Sequence, residues 1–170
     1  MTDINSQRAA SAHTDARNAC EVDLIELLFF AYRDFVSDPD AMLARSDFGR
    51  AHHRVLHFVN RNPGLTVADL LDILKITKQS LGRVLKQLVD SGFIEQRTGP
   101  QDRRQRLLFT TAAGERLANS LTEPQSARIR AALEGLEPQA RQTIARFLFR
   151  MIDAQEQPKA ARLARLDRAS

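Results

Sequence analysis

Two short stretches, residues 66–74 and 77–91, constrain the fold more than anything else in the chain. Val67, Leu70, Leu71 and Leu74 fall at i, i+3, i+4 and i+7, and Leu81, Val84, Leu85 and Leu88 repeat that spacing. The spacing lines one face of an α-helix, so each stretch is an amphipathic helix with one apolar stripe to bury. Thr66 opens a capping box with Asp69, Thr77 can cap the second helix, and Gly92 supplies the left-handed residue that ends it. Only a few residues separate the two, so they turn against each other around a shared core as a helix-turn-helix.

The flanks extend that unit. Asn62-Pro63-Gly64 closes a preceding helix expected over about residues 47–60. After Gly92, residues 93–97 and 105–110 are short runs containing β-favouring residues. The linker between them carries Gly99-Pro100 and Asp102, which predicts a hairpin with a long loop. Helix, turn, helix and then a basic-tipped hairpin is the order of a winged helix-turn-helix. The expected fold class is mainly α with a small β-hairpin wing, and residues 62–110 form its winged region.

The rest of the chain is in excess of what a single winged domain needs. Residues 23–36 are apolar around nearly the whole helical circumference, and such a helix must be covered on several sides. A second subunit is the natural cover. Asp38-Pro39-Asp40 reads as a turn. Thr111 caps a helix running toward Pro124, where a kink or break is expected. Helical pattern resumes through Ile129, Ala132, Leu133 and Leu136, and Pro138 begins a last helix striped with Ile144, Phe147, Leu148, Met151 and Ile152. Residues 23–61 and 111–157 are therefore expected to form a helical dimerisation region. Residues 1–20 read as a flexible arm and residues 158–170 as a basic flexible tail.

Composition narrows the function classes. A hydrophobic fraction of 43% and a charged fraction of 27% over 170 residues belong to an ordinary globular chain with a real core. Cys20 is the single cysteine, so no internal disulfide can form, and a reducing, cytoplasmic location is expected. Residues 1–20 contain no apolar run resembling a signal peptide, and no segment has the length to span a bilayer. There is no phosphate-binding glycine loop, nucleophile elbow or metalloprotease pattern, so neither catalysis nor a cofactor is expected.

Charge points to nucleic acid. Between Lys75 and Arg106 stand eight basic residues against three acidic ones, so this window outweighs the net +4 of the whole chain. A localised basic stripe is the footprint of a protein that meets phosphates. With its apolar stripe turned inward, the second helix presents Lys78, Gln79, Arg83, Lys86 and Gln87 outward. Glutamine can pair bidentately with adenine and arginine with guanine. Thr77 and Ser80, in the first turn, add hydroxyls for bases or phosphates. The hairpin supplies Arg97, Asp102, Arg103, Arg104 and Arg106, with arginines suited to a narrow minor groove. Thr66 completes the candidate DNA contacts. A winged helix used for protein contact is the competing reading; it calls for an apolar outward face, and this one is basic and polar.

These residues resemble a family. Asn62-Pro-Gly-Leu-Thr-Val-Ala-Asp-Leu, the centre Val84-Leu-Lys-Gln-Leu-Val-Asp-Ser-Gly92, the wing Asp102-Arg103-Arg104 and the helix start Thr111-x-x-Gly114 are similar to the MarR family of bacterial transcriptional regulators. Gly49-Arg-Ala-His-His-Arg-Val-Leu-His57 and Thr77-Lys-Gln-Ser-Leu81 further resemble its PetP-like subgroup. The resemblance implies a triangular homodimer whose two winged lobes grip a pseudo-palindromic operator. It implies that Asp102 and Arg104 form the family's structural pair in the wing, and that the protein is a repressor released by a small aromatic ligand. Gly99 and Thr110 depart from the pattern, where an acidic and an apolar residue are usual.

Two features of the sequence could serve sensing. Cys20 opens a redox reading, but Asp15, Glu21 and Asp23 surround it with Arg17 as the single basic neighbour, so nothing lowers its pKa. Redox-sensing relatives place their cysteine near the position of Leu28, so an inert thiol is the default. His52, His53 and His57 cluster on one predicted helix, with His53 and His57 at i, i+4. No cysteine lies close to supply further ligands, so no metal is expected. His53 is assigned instead to the dimer interface or, with Tyr32 and His57, to a ligand pocket.

Overall fold

The computed structural model describes residues 3–100, 102 and 104–166, with side chains from residue 21 onward. Its elements run α1 (Asp3–Ala44), α2 (Arg50–Arg61), β1 (Leu65–Thr66), α3 (Val67–Leu74), α4 (Lys78–Asp90), β2 (Ile94–Thr98), β3 (Arg106–Thr110), α5 (Ala112–Leu133), α6 (Ala140–Arg150) and α7 (Gln157–Ala164).

The core sits in the winged lobe. Leu43 of α1, Val55, Leu56 and Val59 of α2, Leu70 and Leu74 of α3, Leu81, Leu85 and Leu88 of α4, Ile94, Leu108, Ala118 and Leu121 form one buried cluster. Each large side chain there contributes roughly 1.5–3 kcal/mol by leaving water. The three strands order β1-β3-β2, all antiparallel, with Leu65 opposite Leu108 and Arg97 opposite Leu107. The two-residue β1 carries too little pattern to be read from sequence. It forms because Gly64, at φ +90, turns the chain and donates its amide to the Leu108 carbonyl at 2.8 Å.

Helix boundaries follow their caps. Thr66, Thr77 and Thr111 each accept the amide three residues on, at 3.1 Å. The sequence places β2 and β3 to within a residue.

Four expectations are corrected. Residues 3–20 continue α1 as helix instead of forming a flexible arm; the stretch is alanine-rich and holds no Gly or Pro to interrupt it. The Asp38-Pro39-Asp40 turn is absent, and α1 passes through Pro39. Proline removes the amide that would bond the Phe35 carbonyl, but Gln125 of α5 donates its Nε2–H to that oxygen at 3.2 Å. Likewise α5 runs unbroken through Pro124. Ser120, four residues earlier, is exposed, so the carbonyl that Pro124 leaves free lies in a turn open to water.

The fourth correction concerns the tail. The segment from residue 158 holds most of a docked helix, α7, with Pro158 in its first turn. Lys159 bonds Asp72 at 2.7 Å and Glu156 at 2.5 Å, while Lys75 bonds Asp72 at 2.8 Å and Glu156 at 3.0 Å. Arg165 donates to the Arg61 carbonyl at 2.6 Å. These contacts fasten α7 to the ends of α2 and α3.

Away from the lobe the chain is uncovered. Leu27, Phe29 and Phe30 of α1 are 56–70% exposed, and Ile144, Phe147 and Leu148 of α6 are 41–49% exposed. Soluble chains rarely leave such contiguous apolar faces without a partner.

Candidate nucleic-acid interface

The interface is built on α4. Leu81, Val84, Leu85 and Leu88 are buried, so Lys78, Gln79, Ser80 and Arg83 stand exposed on the other side. The cap at Thr77 leaves the first-turn amides of α4 at the outward end, where a helix favours an anion. Among the described residues Lys78, Arg83 and Arg104 have no ion-pair partner.

Other candidates are engaged internally. Thr66 commits its hydroxyl to Asp69 Oδ2 at 2.7 Å. The Thr77 hydroxyl meets Ser80 Oγ at 2.9 Å. Lys86 pairs with Asp90 one turn on. Arg97 pairs with Glu95 and stacks its guanidinium 4.3 Å from the centre of the Phe109 ring. Gln87 turns its carbonyl toward His52 Nε2 at 2.9 Å and is half-buried.

In the wing, Arg106 donates to Thr98 Oγ1 at 2.8 Å across the strand pair. Asp102 Oδ1 accepts the backbone amide of Arg104 at 2.8 Å. The carboxylate thus meets Arg104 through the backbone and shapes the turn. Arg103 lies outside the described residues. Gly99 donates to the Gln105 carbonyl at 3.0 Å, and a Cβ there would sit 2.9 Å from the Asp102 carbonyl oxygen. The usual acidic side chain has no room at this position.

The pocket candidates come together. Tyr32, His53 and His57 line one cavity of about 490 Å³ with Arg50, Arg54 and Gln125. Arg50 and Arg54 escaped the sequence reading, although Arg50, His53, Arg54 and His57 fall at i, i+3, i+4 and i+7 and mark a polar stripe on α2. Arg50 bonds Asp40 at 2.7 Å with its guanidinium 5.9 Å from the Tyr32 ring centre. The rings of His53 and His57 meet edge to face at 6.5 Å. Among the described residues no cluster of three metal-ligating side chains occurs. The Cys20 side chain lies outside the described ones.

Burial holds both imidazoles below the ordinary histidine range; Asp40 opposes this at His53, whereas His53 and Arg61 add to it at His57. The unfolded chain then binds protons more readily than the folded one. Stability is expected to be fully present above about pH 6.5 and to fall as pH drops below it. Urea midpoints at pH 7.5 and 5.5 would measure this; a His53→Gln/His57→Gln protein that keeps the whole slope would refute the assignment.

Comparison with known proteins agrees with this architecture. Residues 46–105 match a family model described as MarR family. The chain is 50% identical over 129 residues to the HTH-type transcriptional regulator PetP of Rhodobacter capsulatus, covering 76% of this chain and 78% of that one. Among solved structures, Streptococcus pneumoniae FabT in complex with DNA superposes with a TM-score of 0.67 at 17% identity, over 77% of this chain and 94% of that one. A Listeria monocytogenes putative MarR family regulator complexed with 26mer DNA gives 0.65 at 19% identity, over 85% and 93%. At such identities these structures speak for the fold. No helix among the described residues is long and apolar enough to cross a membrane.

Proposed function

This chain belongs to the MarR family and is a transcriptional regulator, and on that premise we propose that it binds double-stranded DNA as a cytoplasmic homodimer, repressing until a small aromatic ligand releases it. The observation that carries the reading is α4, capped at Thr77, buried along one stripe and open along Lys78, Gln79 and Arg83. Helices of this kind enter the major groove with their first turn at the base edges. The uncovered faces of α1 and α6 supply the dimer contact, and two-fold symmetry then puts half-sites roughly 34–36 Å apart. Arg104, in the wing, reaches into the flanking minor groove. The relatives are regulators, and no catalytic role is assigned.

The cavity around His53 and His57 is the ligand site of this proposal. Its aromatic wall at Tyr32 suits a planar ring. Redox control through Cys20 has no observation in its favour.

Fluorescence anisotropy on duplexes selected by the protein from a random pool, against scrambled ones over about 50–200 mM salt, tests the central claim. Binding tighter by about 10³ or more to the selected sequence, with a steep salt slope, is the expected outcome. Equal weak binding to both would overturn it. Arg104→Ala is expected to leave the protein folded and dimeric while weakening binding; unchanged affinity would remove the wing from the interface.

A further inference from the structure

His52 is not part of the cavity that holds its two neighbours. It is 8% exposed, stacked on Phe48 with ring centres 4.6 Å apart, and both ring nitrogens are engaged. The Gly49 amide lies 3.0 Å from Nδ1, and Gln87 Oε1 lies 2.9 Å from Nε2. One arrangement satisfies both contacts. A backbone amide can only donate, so Nδ1 accepts and the ring proton sits on Nε2. That N–H must meet an acceptor, which turns the carbonyl end of Gln87 inward and its NH₂ outward.

We infer that His52 is a positioning residue for the DNA-reading helix: it ties α2 to α4 through Gln87 and leaves Gln87 to meet DNA only as a hydrogen-bond donor, on a phosphate. The inference rests on the DNA-binding reading above. Gln79, Arg83 and Gln87 follow one another at i, i+4 and i+8, so they share a stripe of α4. Bidentate pairing with adenine needs a donor and an acceptor from the same amide. The Gln87 oxygen is turned inward to His52, so its donor and acceptor cannot face a base together, whereas Gln79 is exposed with both ends available. The stripe therefore divides into a first turn that reads bases and a third turn that grips the backbone. The bond spans 35 residues of sequence and fixes the rotation of α4 against α2. A tilt of that helix would misplace every side chain in its first turn.

Two variants separate the parts. His52→Asn keeps a side-chain acceptor for the Gly49 amide, as Asp69 provides for Thr66 in α3, but is too short to reach Gln87. Gln87→Glu still accepts from His52 Nε2–H yet has no donor to offer. Affinities for a duplex selected by the wild-type protein and for a scrambled one are measured by fluorescence anisotropy, with melting temperatures alongside. For His52→Asn the ratio of selected to scrambled binding is expected to fall about five- to tenfold, the scale of one lost buried hydrogen bond. That fall should vanish in a Gln87→Met background, where the tie is already gone. For Gln87→Glu both duplexes should weaken by the same factor with the ratio kept.

The inference is overturned if His52→Asn lowers only the melting temperature and leaves the ratio intact, or if its effect persists in full beside Gln87→Met. It is also overturned if Gln87→Glu changes preference at a single adenine. A wild-type protein that selects no duplex would instead sink the DNA-binding reading itself, and this inference with it. A wild type that selects strongly while His52→Asn behaves identically refutes the inference alone.

Discussion

Gly114→Ala is expected to cost about 3 kcal/mol of folding stability, the upper end of what an added methyl group costs in a packed site. A Cβ built on Gly114 lies 1.9 Å from the Phe93 carbonyl oxygen and 2.8 Å from its carbon, and both are backbone atoms with little room to yield. The site is pinned from the other side as well. Thr111 donates its amide to the same Phe93 oxygen at 3.1 Å and its hydroxyl to the Gly92 carbonyl at 2.6 Å. The first turn of α5 is thus clamped onto the start of β2, and Gly114 is the point of closest approach. Urea denaturation monitored by circular dichroism measures the loss. A midpoint equal to wild type would mean that α5 does not seat against Phe93.

The second large effect lies in assembly. Phe29 is 70% exposed and Phe147 49% exposed in the single chain, so replacing both by glutamate removes little from the monomer's own core. If these faces meet a second copy, each glutamate enters a desolvated contact twice over by symmetry. The Phe29→Glu/Phe147→Glu protein is expected to sediment as a monomer with an unchanged circular dichroism spectrum. Its DNA affinity should fall by about 10² or more, because the second half-site is no longer held at high effective concentration. A variant that remains a dimer would place the interface elsewhere.

What the sequence told depended on how far each signal reaches. The caps of α3, α4 and α5 were legible because Thr66, Thr77 and Thr111 each bond an amide only three residues away. The stripes of α3 and α4 were equally local, and so was the wing, whose strands follow one another in sequence through a single loop. The features that stayed hidden depend on distant partners. Pro39 reads as a breaker until Gln125, 90 residues beyond Phe35, takes up the stranded carbonyl. The basic end of the chain reads as a loose tail until Lys159 meets Asp72, 87 residues earlier. Gln87 reads as a free base-reading side chain until His52 claims its oxygen. Arg50 and Arg54 join His53 and His57 in the cavity because all four lie on one stripe of α2, a placement that becomes plain only when α1 closes over it.

The fastening of α7 also bears on how the molecule responds to its medium. Single surface ion pairs are weak, but Asp72, Lys75, Glu156 and Lys159 form a closed ring in which each charge has two opposite neighbours. Hydrogen bonds from Lys159 and Lys75 hold the Asp72 carboxyl down to about 2 and keep Glu156 below its usual range. Mild acid therefore leaves the ring charged, whereas concentrated electrolyte weakens it by screening. Helix α7 thus behaves as a latch that brine loosens and mild acid does not.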